Sequence, residues 1–186
     1  MKRRLFLLFV LFSFLTFLGC SATTLPPKNR PLIPLKQANL EAVFEENEGL
    51  EVTPEDTKEL RDFYRGGVQL KAKAERLFQE KAYPEAMRLY RSSNDFFSTL
   101  FLHHLDEDSA TYPLFEGTHI LFFPNLLMGD NYLKMGLTLR AMGEEGQAQP
   151  TWERALFFVK ASLQAEPSEW GLALQQELLS LLEKNS

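Results

Sequence analysis

The residues best suited to chemistry cluster in the middle of the chain: His103, His104, Asp106, Glu107 and Asp108, with Glu116 and His119 a short way on. Imidazoles and carboxylates bind zinc and related ions, but three or four of them must converge on one point. Consecutive residues on a helix point in different directions, and H-H-x-D is not a metallohydrolase spacing. The two histidines read instead as the polar end of a helix, where they meet the negative pole of its dipole. No metal is expected. Other chemistry is equally sparse: no serine sits in a nucleophile elbow, and no glycine-rich phosphate loop is present. Glu144 and Glu145 lie in a flexible-looking stretch between two glycines, a poor place to perturb a carboxylate. The chain is therefore expected not to be an enzyme and to need no cofactor.

Cys20 is the only cysteine, and it follows a signal-like segment. Met1-Lys2-Arg3-Arg4 is a basic start, and Leu5 to Leu18 is an apolar run of 14 residues broken only by Ser13 and Thr16. A bilayer span needs roughly 18 to 20 such residues, so the run is short for a transmembrane helix and suits a signal peptide. Phe17-Leu18-Gly19-Cys20 resembles a bacterial lipobox, in which a small residue precedes a cysteine that is lipidated and becomes the new N-terminus. The resemblance implies a signal peptide over 1–19, a lipid anchor on Cys20, and a thiol occupied by its thioether. Ser21 in place of aspartate resembles the outer-membrane-sorted type facing the periplasm. A short N-terminal membrane anchor, or a secretory peptide cleaved without lipidation, remain the alternatives.

Loss of residues 1–19 would take Lys2, Arg3 and Arg4 with it and move the net charge from −5 to −8. An acidic, mixed-sign surface argues against a nucleic-acid partner. Residues 20–35 carry prolines at 26, 27, 31 and 34, which block helix and ladder alike and predict an extended tether from the lipid. Residues 36–186 are expected to form one all-helical domain. Within it, 36–49 reads as an acidic helix with Leu40, Val43 and Phe44 on one face. Thr53-Pro54-Glu55-Asp56 starts a helix whose buried face is expected at Leu60, Phe63, Gly67, Leu70, Ala74 and Leu77. Gly66-Gly67 either ends that helix early or admits another chain segment closely. A second helix is expected from Pro84, with Ala86, Leu89, Tyr90, Ser93, Phe97, Leu100 and Phe101 inward. Residues 105–123 read as a packed loop. Further helices are expected over Pro124–Met142, Thr151–Ala165 and Ser168–Leu182, with a turn at 143–147.

Two stretches share a finer spacing: Ala74, Leu77, Tyr83, Ala86, Tyr90 and Ser93, then Trp152, Ala155, Val159, Ser162 and Pro167. Each resembles the tetratricopeptide pattern of antiparallel helical hairpins, with a small residue where two helices cross; an irregular helical bundle is the alternative. The resemblance implies a protein-interaction or assembly role in an envelope complex, with a concave binding surface. Exposed aromatics Tyr64, Phe78, Tyr112 and Tyr132 are the candidate contacts, and Arg61, Arg65 and Arg76 the candidate charged rim. A different class of function is a lipoprotein holding a small apolar ligand, such as an accessory of a solute-uptake system. That reading requires a closed cavity among Phe96, Phe97, Phe101, Tyr112, Phe115, Phe122 and Phe123.

Overall fold

The computed structural model describes residues 54–100 and 123–184, with side chains from Asp62 in the first stretch and Pro124 in the second. The expected signal peptide, Cys20, the tether, the acidic helix over 36–49, His103 and His104, and the loop expected over 105–123, with His119 and Tyr112, lie outside those residues except for Phe123, which opens a helix; the side chain of Arg61 also lies outside them. Among the described residues the fold is all-α: α1 (Pro54–Gln79), α2 (Tyr83–Leu100), α3 (Phe123–Ala141), α4 (Glu145–Ala165) and α5 (Glu169–Glu183). No helix among them is long and apolar enough to cross a membrane.

The helices pack mainly on their neighbours in sequence: α1 on α2, α3 on α4, then α2 on α3 and α4 on α5. The two closest pairs are joined by the same turn. After α1, Lys81 N–H donates to Phe78 O and Ala82 N–H to Leu77 O. After α3, Gly143 N–H donates to Arg140 O and Glu144 N–H to Leu139 O. Both are Schellman caps, which place one residue in the left-handed region. Gly143 adopts it at φ 80°, and Lys81 does so at φ 61° despite its Cβ.

Matching the turns matches the interiors. Gly67 faces Phe97, and in the corresponding places Gly129 faces Val159. Gly136 is the small residue beneath Trp152, and buried Ala74 and Tyr90 hold the corresponding positions in the first pair, while Ala86 and Ala148 are fully buried one helical turn into α2 and α4. The expected alignment paired Tyr83 with Trp152 and Ala86 with Ala155. The turns correct this by two helical turns: Tyr90 answers to Trp152, and Ala86 to Ala148. For the same reason α4 begins at Glu145 rather than Thr151. Pro150 sits inside the helix, where its ring frees the carbonyl of Gly146, a residue exposed to water. Thr151 Oγ1 donates to Gln147 O at 2.7 Å alongside.

Gly66 and Gly67 do not end α1. They take the second expected role, since a Cβ at either would strike the rings of Phe96 and Phe97. The buried face of α1 is rotated from the expected one. Tyr64, Gly67, Lys71 and Ala74 form its centre, and Phe63, Leu70 and Leu77 flank it half-buried. At the far end, Pro167 holds Glu166 extended (φ −144°, ψ 127°) and closes α4. Ser168 then caps α5, its Oγ accepting from Gly171 N at 3.1 Å.

Candidate functional site

Two groupings of side chains depart from an ordinary helical core. The first is a polar network buried between α1, α2 and α3. Lys71, only 4% exposed, pairs with Asp130 at 2.5 Å and with Glu75 one turn along α1. Burial alone would favour neutral lysine, but Asp130 and then Glu75 outweigh it and raise the ammonium's pKa. Beside them, Asn131 Nδ2 donates to Ser93 Oγ and to Asn94 Oδ1, both at 2.9 Å. Ser93 Oγ donates in turn to Gly67 O at 2.7 Å, and Asn94 Nδ2 to Met135 Sδ.

Tyr90 completes this layer. Its hydroxyl is buried without a hydrogen-bond partner among the described residues. Burial, then the negative charges of Glu75 and Asp130, push its pKa far above the ordinary tyrosine range. Tyr90 therefore stays a neutral phenol and Lys71 a cation, so neither is poised as a base near neutral pH. The network ties α1 and α2 to α3 through directional contacts that an all-leucine interface would lack.

The second grouping is on the outside, where α3 meets α4. Tyr132 and Phe158 stack with centroids 5.4 Å apart and planes 4° from parallel. The Arg154 guanidinium lies over the Tyr132 ring, 4.9 Å from its centroid. Phe157 meets Phe158 edge-on at 5.4 Å and is 66% exposed, the most exposed large apolar side chain among the described residues. Its position on α4 follows from spacing: Trp152, Ala155, Val159 and Ser162 take the buried side, which turns Arg154, Phe157 and Lys160 outward.

The expected binding residues whose side chains are described, Tyr64, Arg65, Arg76, Phe78 and Tyr132, do not gather in one place. Tyr64, expected at the surface, is buried edge-on against Phe97 at 6.0 Å. Phe78 is half-buried against Tyr83. Arg65 and Arg76 are exposed on α1. Only Tyr132 belongs to the outer aromatic group. Phe157, Phe158 and Arg154 were missed, because hydropathy assigns a Phe-Phe pair to a core. The signal was available in register: Trp152, Ala155 and Val159 fill the buried side and leave Phe157 opposite. Of the aromatics required for an enclosed ligand cavity, Phe96 and Phe97 are packed onto Gly66 and Gly67, and the rest lie outside the described side chains.

Compared with protein families, with curated proteins and with solved structures, the chain has no match. What the described residues define is an all-helical domain with a polar tie at its centre and an aromatic–arginine surface on one helix pair.

Proposed function

We propose that this protein is a membrane-anchored periplasmic lipoprotein whose tetratricopeptide-like helix pairs act as an interaction or assembly module in an envelope complex. The observation that carries the reading is the surface group in which exposed Arg154 and Phe157 rest on half-buried Tyr132 and Phe158. Aromatic and arginine side chains dominate the energetic centres of protein interfaces. Here the ring stack holds them in place before binding, which lowers the entropic cost of ordering them. The recurrence of one plan in α1–α2 and α3–α4, with the same turn and a glycine facing a side chain of the following helix, supports the repeat reading. The anchor rests on the basic start, the short apolar run and Gly19-Cys20.

Two measurements test the proposal. A palmitate analogue should label the wild type and not Cys20→Ser; equal labelling removes the anchor. A photo-crosslinker in place of Phe157, in native membranes, should join the lipoprotein repeatedly to one envelope protein. No repeatable partner across growth conditions refutes the interaction role.

A further inference from the structure

The outer face of α4 continues past Phe157 into an open cleft of about 330 Å³ between α4 and α5, lined by Lys160, Leu163, Gln164, Pro167, Leu172 and Gln175. Lys160 lies one turn beyond Phe157 on the same side of the helix, and Gln164 one turn beyond that. Leu172 forms the opposite wall from α5 and is 45% exposed. The wall and floor are apolar where Leu163, Pro167 and Leu172 meet, and Gln164 and Gln175 supply neutral hydrogen-bonding groups. The cleft's one charged lining residue is the cation Lys160.

Charge changes sign along this path. Arg154 and Lys160, with the single carboxylate of Glu153, stand at one end, for a balance of one positive charge, while Glu166 and Glu169 bracket the α4–α5 turn at the other. The protein as a whole is acidic, at −5, so a net positive charge around the exposed Phe157, from Arg154 and Lys160 against Glu153, departs from the average surface. A bound segment would find favourable potential for carboxylates at the Phe157 end and unfavourable potential at the Pro167 end.

From this geometry, and resting on the interaction role proposed above, we infer that the α4–α5 cleft receives a short acidic segment of a partner protein, its aliphatic side chains against Leu163, Pro167 and Leu172 and its carboxylates toward Arg154 and Lys160. The seating is that of an amphipathic segment in an apolar groove, with charge setting its direction. Phe157, one turn before Lys160 on the outer side of α4, contacts the same segment or the surface it emerges from.

The test uses the full lipoprotein in detergent micelles, titrated with two fluorescent synthetic peptides of matched length. One is built of leucine and glutamate, the other of leucine and lysine. The Glu/Leu peptide should bind, with affinity falling as salt is raised. The Lys/Leu peptide should bind at least tenfold more weakly. Arg154→Glu with Lys160→Glu should weaken Glu/Leu binding roughly tenfold, and Leu172→Asp should abolish it. These side chains are exposed, and an unchanged circular dichroism spectrum verifies the fold of each variant. Equal binding of both peptides, or indifference to the charge reversal, overturns the assignment. Binding that appears only after residues 36–49 are deleted also overturns it, by showing the chain's own acidic segment to be the occupant. A failed titration beside a successful Phe157 crosslink sinks the cleft alone; failure of the crosslink sinks the interaction role itself.

Discussion

Gly136 offers the sharpest test of how the second helix pair is built. An added Cβ there would overlap Nε1 and Cδ1 of Trp152. The indole cannot easily retreat. It is fully buried, its Nε1 donates to Leu133 O at 3.3 Å, and Arg140 lies 5.2 Å over its ring. Gly136→Ala therefore sets two effects against each other. Helix propensity favours alanine by about 1 kcal/mol. Overpacking costs about 1 to 3 kcal/mol, and a weakened indole hydrogen bond adds about 1 kcal/mol. The net expectation is a loss of about 1 to 3 kcal/mol. Gly146→Ala, in the first turn of α4, is the matched control. Nothing lies within 4 Å of its added Cβ, so a gain of roughly 0.4 to 1 kcal/mol is expected. Urea unfolding followed by fluorescence of Trp152 and Trp170 reads both changes. If Gly136→Ala proves as stable as the wild type, Trp152 does not rest on α3 as described, and the equivalence of the two pairs falls with it.

Four further outcomes are expected. Ala155→Leu should lose roughly 1 to 3 kcal/mol in the same urea assay, because Ala155 is fully buried and its carbonyl oxygen lies 3.3 Å from the Cβ position of Gly129; Phe157→Ala should stay within about 0.5 kcal/mol of wild type. Lys71→Met should cost about 3 to 5 kcal/mol by leaving Asp130 buried and unpaired, and adding Asp130→Leu should recover most of it; equal instability of single and double variants would deny the pairing. Lys81→Gly should raise stability by about 1 kcal/mol, since glycine adopts its positive φ without strain, and a lower urea midpoint would contradict the Schellman turn. Finally, stability should fall as pH rises above about 10. Lys71, Tyr64 and Tyr90 all have raised pKa values in the folded chain, so each contributes stability that is present below its unfolded value and lost above it. Urea midpoints measured up to about pH 11 should show a shallower decline in Tyr90→Phe.

The helical character and most helix ends were legible in the sequence, because proline, serine caps and apolar spacing mark them locally. Ser168 and Pro167 identify the start of α5 without reference to any other helix. The register of the second pair was not legible. The polar stretch 143–150 looks like a loop by composition, yet Ala148 is fully buried within it and Gly143 turns the chain earlier. The polar network was missed for a related reason. Hydropathy drew the buried face of α1 toward Leu70 and Leu77 and away from Lys71, although Lys71 falls midway between Gly67 and Ala74 on one face. Asp130 and Asn131, set among Leu126, Leu127 and Leu133, carried the same signal. A charge inside an apolar stripe belongs to a partner elsewhere in the chain, and spacing within one helix does not name that partner.

The ties to α3 also bear on the order of events as the chain folds. Each helix pair closes through a short local turn, so each can form early and independently. Joining the pairs is a different step, because Asn131 must find Ser93, 38 residues away in sequence, while Lys71 meets Asp130. A partial approach strips water from these groups before their partners arrive, which is unfavourable until the last contact is made. Half-joined arrangements are thereby penalised on both sides. The two pairs should dock in a single concerted event and unfold as one body rather than fray pair by pair.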